Sequence, residues 1–169
     1  MTRELLLLRH AKSAWDTGAP TDYERPLAKR GLKAAPKVGR FMAKNGLHPD
    51  YVVSSPAQRA RQTVMLACAE VGIGEGAIQW DRRIYHAGAV TLVNVLRESP
   101  PEARRVLMVG HNPGFEQLLQ SLCVGEVPMP EDWKLMPTAA LARMRVKVPW
   151  SELGHAVAEL ISLTRARSL

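Results

Sequence analysis

The sequence predicts an α/β fold, a three-layer α/β/α sandwich around a largely parallel central sheet, and three observations predict it. Short apolar runs of strand length alternate with amphipathic stretches of helix length along the chain. Three of these runs, residues 5–8, 51–53 and 106–109, lack polar alternation, as strands covered on both faces do. Each of the three ends on polar residues that lead on toward a helix, the step from which parallel sheets are built. No repeat and no linker-like break interrupts the pattern, so residues 1–169 are expected to form one domain.

The elements follow in order. Four leucines, residues 5–8, form the first strand, and residues 16–26, rich in Thr, Gly, Pro and charge, form a loop. From about residue 27 to 44, Leu32, Ala35, Val38 and Met42 recur at helical spacing; Pro36 is a candidate kink and Asn45-Gly46 the stop. A second strand, residues 51–53, runs into Ser54-Ser55-Pro56. There Ser55 is expected to cap a helix with Pro56 at its first position and Gln58 completing a capping box. Gly72, Gly74 and Gly76 mark a turn, since they lack the full dinucleotide fingerprint and any Gly-Lys-Ser/Thr. Residues 77–80 form a short strand and 90–96 lie in a helix. The run 106–109 ends in Gly110-His111-Asn112-Pro113, where Asn112 is expected to cap a helix reaching Leu122. After a proline-rich connection (residues 127–137), residues 139–148 and 156–163 supply further strands, and residues 165–169 are expected to fray.

Composition narrows the classes of function. Twenty-three Lys and Arg against 16 Asp and Glu give a net charge of +7 and a pI near 9.8, a field that attracts phosphates, nucleic acids or acidic protein faces. The basic residues are scattered, with few interleaved aromatics, which argues against nucleic acid. Cys68 and Cys123, both in apolar stretches, exclude a disulfide framework and suit a reducing cytosol. The leucine run is too short for an export signal or a membrane span. The histidines gather no carboxylates or cysteines at ligand spacing, so neither a metal nor another cofactor is expected.

Ligands of open α/β sheets collect beyond the carboxyl ends of strands, and three predicted strands end at Arg9-His10, Ser54-Ser55 and Gly110-His111. Arg59 follows one turn into the second helix. Guanidinium forks match phosphate oxygens, and a neutral imidazole is a good nucleophile toward phosphorus, so the set suggests phosphoryl chemistry.

These residues resemble the histidine phosphatase superfamily, with its phosphoglycerate-mutase-like fold. Arg9-His10-Ala11-Lys12-Ser13 is similar to its Arg-His-Gly or Arg-His-Ala signature. Arg25-Pro26-Leu27 with Arg30-Gly31, residues 54–63, and Gly110-His111-Asn112-Pro113-Gly114 follow in the family's order. The short length and Pro137-Thr138-Ala139-Ala140-Leu141 are most similar to the SixA branch, phosphohistidine phosphatases that act on signalling proteins. The resemblance implies that His10 takes up the phosphoryl group, that Arg9 and Arg59 bind it, and that His111 stabilises its charge, without a metal. Asn112 and His86 enter as candidate substrate contacts.

A departure concerns the acid that phosphoesterases of this superfamily use to protonate a leaving oxygen. No Glu lies between Glu75 and Glu98, which leaves Asp81, with Tyr85 and His86, as titratable candidates. Asp16 stands where the mutase branch has a phosphate-facing Asn, and a loop or ion-pair role is expected for it rather than acid catalysis; Lys12 reads as solvated or as steering an anionic substrate. Imidazole protonated on its other nitrogen leaves phosphorus as a neutral base, so a missing acid favours phosphohistidine over an alkyl phosphate. The substrate is therefore expected to be a histidine-phosphorylated protein. Rivals are a small phosphorylated substrate, for which Asp81 or another group would serve as acid, and a non-catalytic phosphate-binding module. His48 and His155 are expected at the surface, Trp15 as a wall of the site or in the core, and Trp80, Trp133 and Trp150 as packing residues.

Overall fold

The computed structural model describes residues 2–169. Strand β1 (Arg3–Arg9) shows why an all-leucine run suits the middle of a sheet: Leu5 and Leu7 are buried in one core, Leu6 and Leu8 in a second. Successive strand side chains point to opposite faces, so both faces need cover. Helices α1 (Lys29–Lys44) and α2 (Gln58–Glu70) cover the face of Leu6 and Leu8. Helices α3 (Ala89–Arg97) and α4 (Gly114–Leu122) cover the other, where Phe115 and Trp150 are also buried. This is the expected three-layer sandwich.

The other strands are β2 (Tyr51–Ser54), β3 (Ile78–Trp80), β4 (Arg105–Gly110), β5 (Leu141–Val146) and β6 (Ala158–Thr164). Their order across the sheet is β3-β2-β4-β1-β5-β6. Strands β1 to β4 pair in parallel, β5 is antiparallel to both β1 and β6, and so β5 alone runs against the rest. The sequence does not foresee that reversal, because one buried strand reads the same in either direction.

Several element starts differ from the sequence reading. Helix α2 begins at Gln58, not Pro56, and α4 at Gly114, not Pro113; neither receives a side-chain cap. Ser55 and Asn112, expected as those caps, are engaged elsewhere, as described below. Helix α1 continues through Pro36. The terminal residues are anchored rather than frayed: Arg165 pairs with Asp132 at 2.6 Å, and Ala166 is buried within a short 3-10 turn, Ala166–Ser168. Trp150 packs in the core as expected, whereas Trp133 and Trp15 are 78% and 75% exposed, the latter with the Arg25 guanidinium over its ring. Asp16 is exposed and forms no ion pair among the described residues. Both cysteines are free and buried, and burial pushes the Cys68 thiol up to about 12. No helix is long and apolar enough to cross a membrane, among the described residues.

At the end of the sheet opposite the strands' carboxyl termini, Glu4 of β1 joins its two neighbours, pairing with Arg105 of β4 at 2.9 Å and Arg143 of β5 at 2.7 Å. Burial raises its pKa, but the hydrogen bonds and charges of the two arginines outweigh this and leave it below the usual carboxylate range. Its contribution is therefore present above the unfolded-state pKa and is lost as pH falls through the lowered folded value. Glu4→Gln leaves two guanidiniums facing each other and is expected to lower unfolding free energy by about 1–3 kcal/mol at pH 7. Urea denaturation at pH 7 and at pH 3 checks this, the difference between variant and parent narrowing at the lower pH.

Candidate active site

Register places the two site histidines together. Arg9 of β1 pairs with Gly110 of β4, so the next residue on each strand, His10 and His111, emerges from adjacent carboxyl ends. Their rings stand 5.2 Å apart, both buried. Ser54 of β2 pairs with Val109 of β4, bringing the start of α2 to the same edge and with it Arg59. His10 N–H donates to Gly110 O, Ser55 N–H to Val109 O, and Ala139 N–H to His10 O. The backbone that carries the site is thus an extension of the sheet.

One side chain ties the first strand end to the second helix. Thr63, one turn after Arg59, accepts from Ala11 N–H at 3.0 Å and donates to Arg59 O at 2.7 Å. Glycine permits two close approaches around the site. A Cβ on Gly31 would collide with the Lys12 carbonyl oxygen, and one on Gly114 with that of Ala87, so these residues let the first turns of α1 and α4 lie against loops of the rim.

His10 Nδ1 lies 2.8 Å from the Ala11 carbonyl, which can only accept, so Nδ1 carries the proton and Nε2 the lone pair. Burial pushes the His10 pKa down to about 4, partly offset by that hydrogen bond and assisted by the charges of Arg9, Arg59 and Arg25. At neutral pH it is an uncharged base. His111 is pushed further, to about 3, first by burial and then by His10, Arg59 and His86. Its Nε2 is 2.8 Å from Ser55 Oγ, which also accepts from Ala57 N–H. The other ring nitrogen of His111, Nδ1, is buried without a protein partner.

Arg59 is buried and donates to Asp22 O at 2.7 Å and Asp22 Oδ2 at 3.0 Å. Asp22, not singled out by the sequence, also accepts from Arg25 and from the Tyr85 hydroxyl, both at 2.7 Å. Tyr85, Arg59 and Arg25 hold its carboxyl down to about 2. Arg9 gives one bond to Met136 O, and its Nε is buried without a partner. Among the described residues no group of three or more His, Cys, Asp or Glu gathers to hold a metal ion. Two neutral imidazoles and two guanidiniums thus stand together at the strand ends, a basic set whose lone pair and N–H donors match the chemistry of a phosphoryl group.

Of the other sequence candidates, Tyr85 and His86 border this group, and Asn112 and Asp81 are engaged elsewhere. His86 is exposed, in a left-handed conformation (φ 57°), and stacks on Tyr85 with ring centroids 3.9 Å apart; Tyr85 in turn packs edge-on to His111 at 5.5 Å. His86 therefore sits at the rim. Asn112 donates from Nδ2 to Glu116 Oε2 and to Met136 O, both at 2.9 Å. Its Oδ1 is buried without a protein partner, and the two bonds make Asn112 a tie between α4 and the 133–137 loop. Asp81 caps a short turn and pairs with Arg83 at 2.7 Å, which lowers its pKa. The missed residues, Asp22, Ser55 and Thr63, act through other side chains, and only the contiguous motif 54–63 signals the last two.

Between pH 8 and 5 the 15N ring shifts of His10 and His111 are expected to remain those of neutral imidazole; a midpoint near 6.5 in either ring would contradict their burial. In the unfolded chain both titrate near 6.5. Their contribution to stability is therefore complete above about pH 6.5 and declines as pH falls from there toward 4, because the unfolded state takes up the protons. A melting temperature that holds steady across that interval would oppose this.

Comparison with known proteins places the chain. The histidine phosphatase superfamily (branch 1) matches residues 5–84. A chloroplastic uncharacterized protein of Arabidopsis thaliana is 33% identical over 130 residues, 72% of this chain, which spans 60% of that protein's length. An uncharacterized protein of Mycobacterium tuberculosis is 32% identical over 158 residues, 91% of this chain and 96% of its own. Among solved structures, a SixA-type protein of Nakamurella multipartitia superposes with a TM-score of 0.83 at 26% identity, covering 98% of this chain and 96% of that one. With its strand-end histidines and arginines in the order that the sequence motifs require, the chain belongs to the histidine phosphatase superfamily and is a phosphatase with the fold of its SixA-type members.

Proposed function

We propose that the protein hydrolyses phosphohistidine on another protein, through a phosphoryl intermediate on His10. The observation that carries this reading is the pair of neutral histidines beside two arginines, in a recess where no carboxyl is held protonated. Asp22 is kept ionised by Tyr85, Arg59 and Arg25, and Asp81 by Arg83, so neither supplies a proton to an alkoxide. A P–N bond does not need one: a substrate imidazole protonated on its other nitrogen departs neutral.

In the first step His10 Nε2 attacks phosphorus, the Nε2–P bond forms, and the substrate's N–P bond breaks with its electron pair returning to the departing imidazole. Arg9, Arg59 and the His111 N–H bind the three phosphoryl oxygens as charge shifts among them. His10 keeps its Nδ1 proton on the Ala11 carbonyl, which steadies the positive ring that results. In the second step water attacks phosphorus and Nε2 leaves as a neutral imidazole; the water proton passes to solvent and inorganic phosphate departs. His86, at the rim, contacts the substrate protein around its phosphohistidine. The SixA-type neighbour supports this substrate class, and the protein acts without a metal.

With chelator present, phosphate release from a histidine-phosphorylated carrier protein is expected to exceed that from a simple aryl phosphate. His10→Ala is expected to lower it at least ~10³-fold and Arg59→Ala ~10²-fold. An alkaline quench of the first turnover is expected to trap radiolabelled phosphate on His10. Preference for the aryl ester would move the assignment to a small-molecule phosphomonoesterase, and an unimpaired His10→Ala would end the catalytic assignment.

A further inference from the structure

A groove of about 680 Å³ opens from Arg9, at the edge of the site, and runs along α1. Its walls carry two carboxylates, both already engaged: Glu116 accepts from Asn112 and Met136, and Asp132 pairs with Arg165 and Arg167. By contrast Lys12, Arg30, Lys33 and Lys37 line it with no ion-pair partner among the described residues. Arg30, Lys33 and Lys37 lie three and four residues apart, on one face of α1 about 10 Å long. Trp133, 78% exposed, also lines the groove.

We infer that this groove is a docking surface for an acidic segment flanking the phosphohistidine of the partner protein, which it holds while the phosphoryl group reaches His10. The inference rests on the phosphohistidine reading above and specifies its partner. Charge complementarity selects the occupant. The cations are separated and mostly ammonium groups, each matched to a single carboxylate, and the groove offers no glycine-rich amide cradle for a cluster of phosphates. An exposed tryptophan beside such a strip is the kind of side chain that protein partners bury. Continuity with Arg9 sets the geometry, because a protein presenting its phosphohistidine to His10 must lie over the adjoining surface.

The test uses two short peptides that carry a phosphoryl-triazole, a non-hydrolysable stand-in for phosphohistidine, one with Asp/Glu flanks and one with Gly/Ser flanks. Their affinities are measured for the parent protein and for Lys33→Glu/Lys37→Glu, two exposed positions outside the catalytic machinery. The acidic peptide is expected to bind roughly tenfold more tightly to the parent, and the preference to vanish in the variant and in about 0.5 M salt. Affinity for the neutral peptide and turnover of an aryl phosphate are expected to change less than about twofold. Equal binding of the two peptides, or a preference that survives in the variant, overturns the docking surface and leaves the phosphohistidine reading standing. If neither peptide binds while inorganic phosphate still does, the phosphohistidine reading itself fails. A single-stranded oligonucleotide of equal charge that displaces the acidic peptide more effectively than the peptide displaces itself overturns the proposal in favour of nucleic acid.

Discussion

The parallel pairing of β1 with β4 is the constraint on which the site depends. With Arg9 opposite Gly110, the residues that follow leave the sheet side by side, and both are histidines. A slip of one residue would turn Leu5 and Leu7 toward the wrong helical layer and separate the rings. The same alternation that fills two cores therefore sets the spacing of the catalytic edge. Tight packing on both faces makes that spacing stiff, so the two rings are held in place by the cores beneath them.

Burial then determines the chemistry. Imidazoles in open water are partly protonated near neutrality, and a protonated ring has no lone pair to offer. Here burial and neighbouring guanidiniums both favour the neutral form. Each ring is also oriented by a single polar contact, His10 by the Ala11 carbonyl and His111 by the Ser55 hydroxyl. Asp22 restrains the opposite charge: it anchors Arg59 and Arg25 and so keeps two flexible cations from sampling many positions.

Much of this was legible in the sequence, for identifiable reasons. Apolar runs without alternation announced covered strands, and residues at strand ends announced the edge where His10, His111 and Arg59 meet. The helix starts are harder to read, because Ser55 and Asn112 are good caps in isolation, yet Ser55 serves His111 and Asn112 serves the 133–137 loop. Local propensity cannot see a partner 56 residues away. Asp22 was invisible for the same reason, since Arg59 and Tyr85 reach it from 37 and 63 residues along the chain. Trp133 misled in the other direction: tryptophan is usually buried, and only the folded chain shows this one outside.

The lone reversed strand has a consequence for how such a site changes over evolutionary time. Because β5 runs against its neighbours, its first residues lie at the carboxyl edge, where Ala139 and Ala140 bond to His10 and Arg9. The connection from α4 to β5 therefore starts in the layer of helices and ends on the rim, with both ends pinned. Residues can be added in its largely exposed stretch, 128–131, without disturbing a strand register, while Leu135 and Met136 of the same connection stay buried in the core. Lengthening there would raise a wall over the recess and admit only small molecules, whereas shortening it would flatten the approach for a protein. Substrate size thus becomes a property of one tether, separable from the inherited chemistry beneath it.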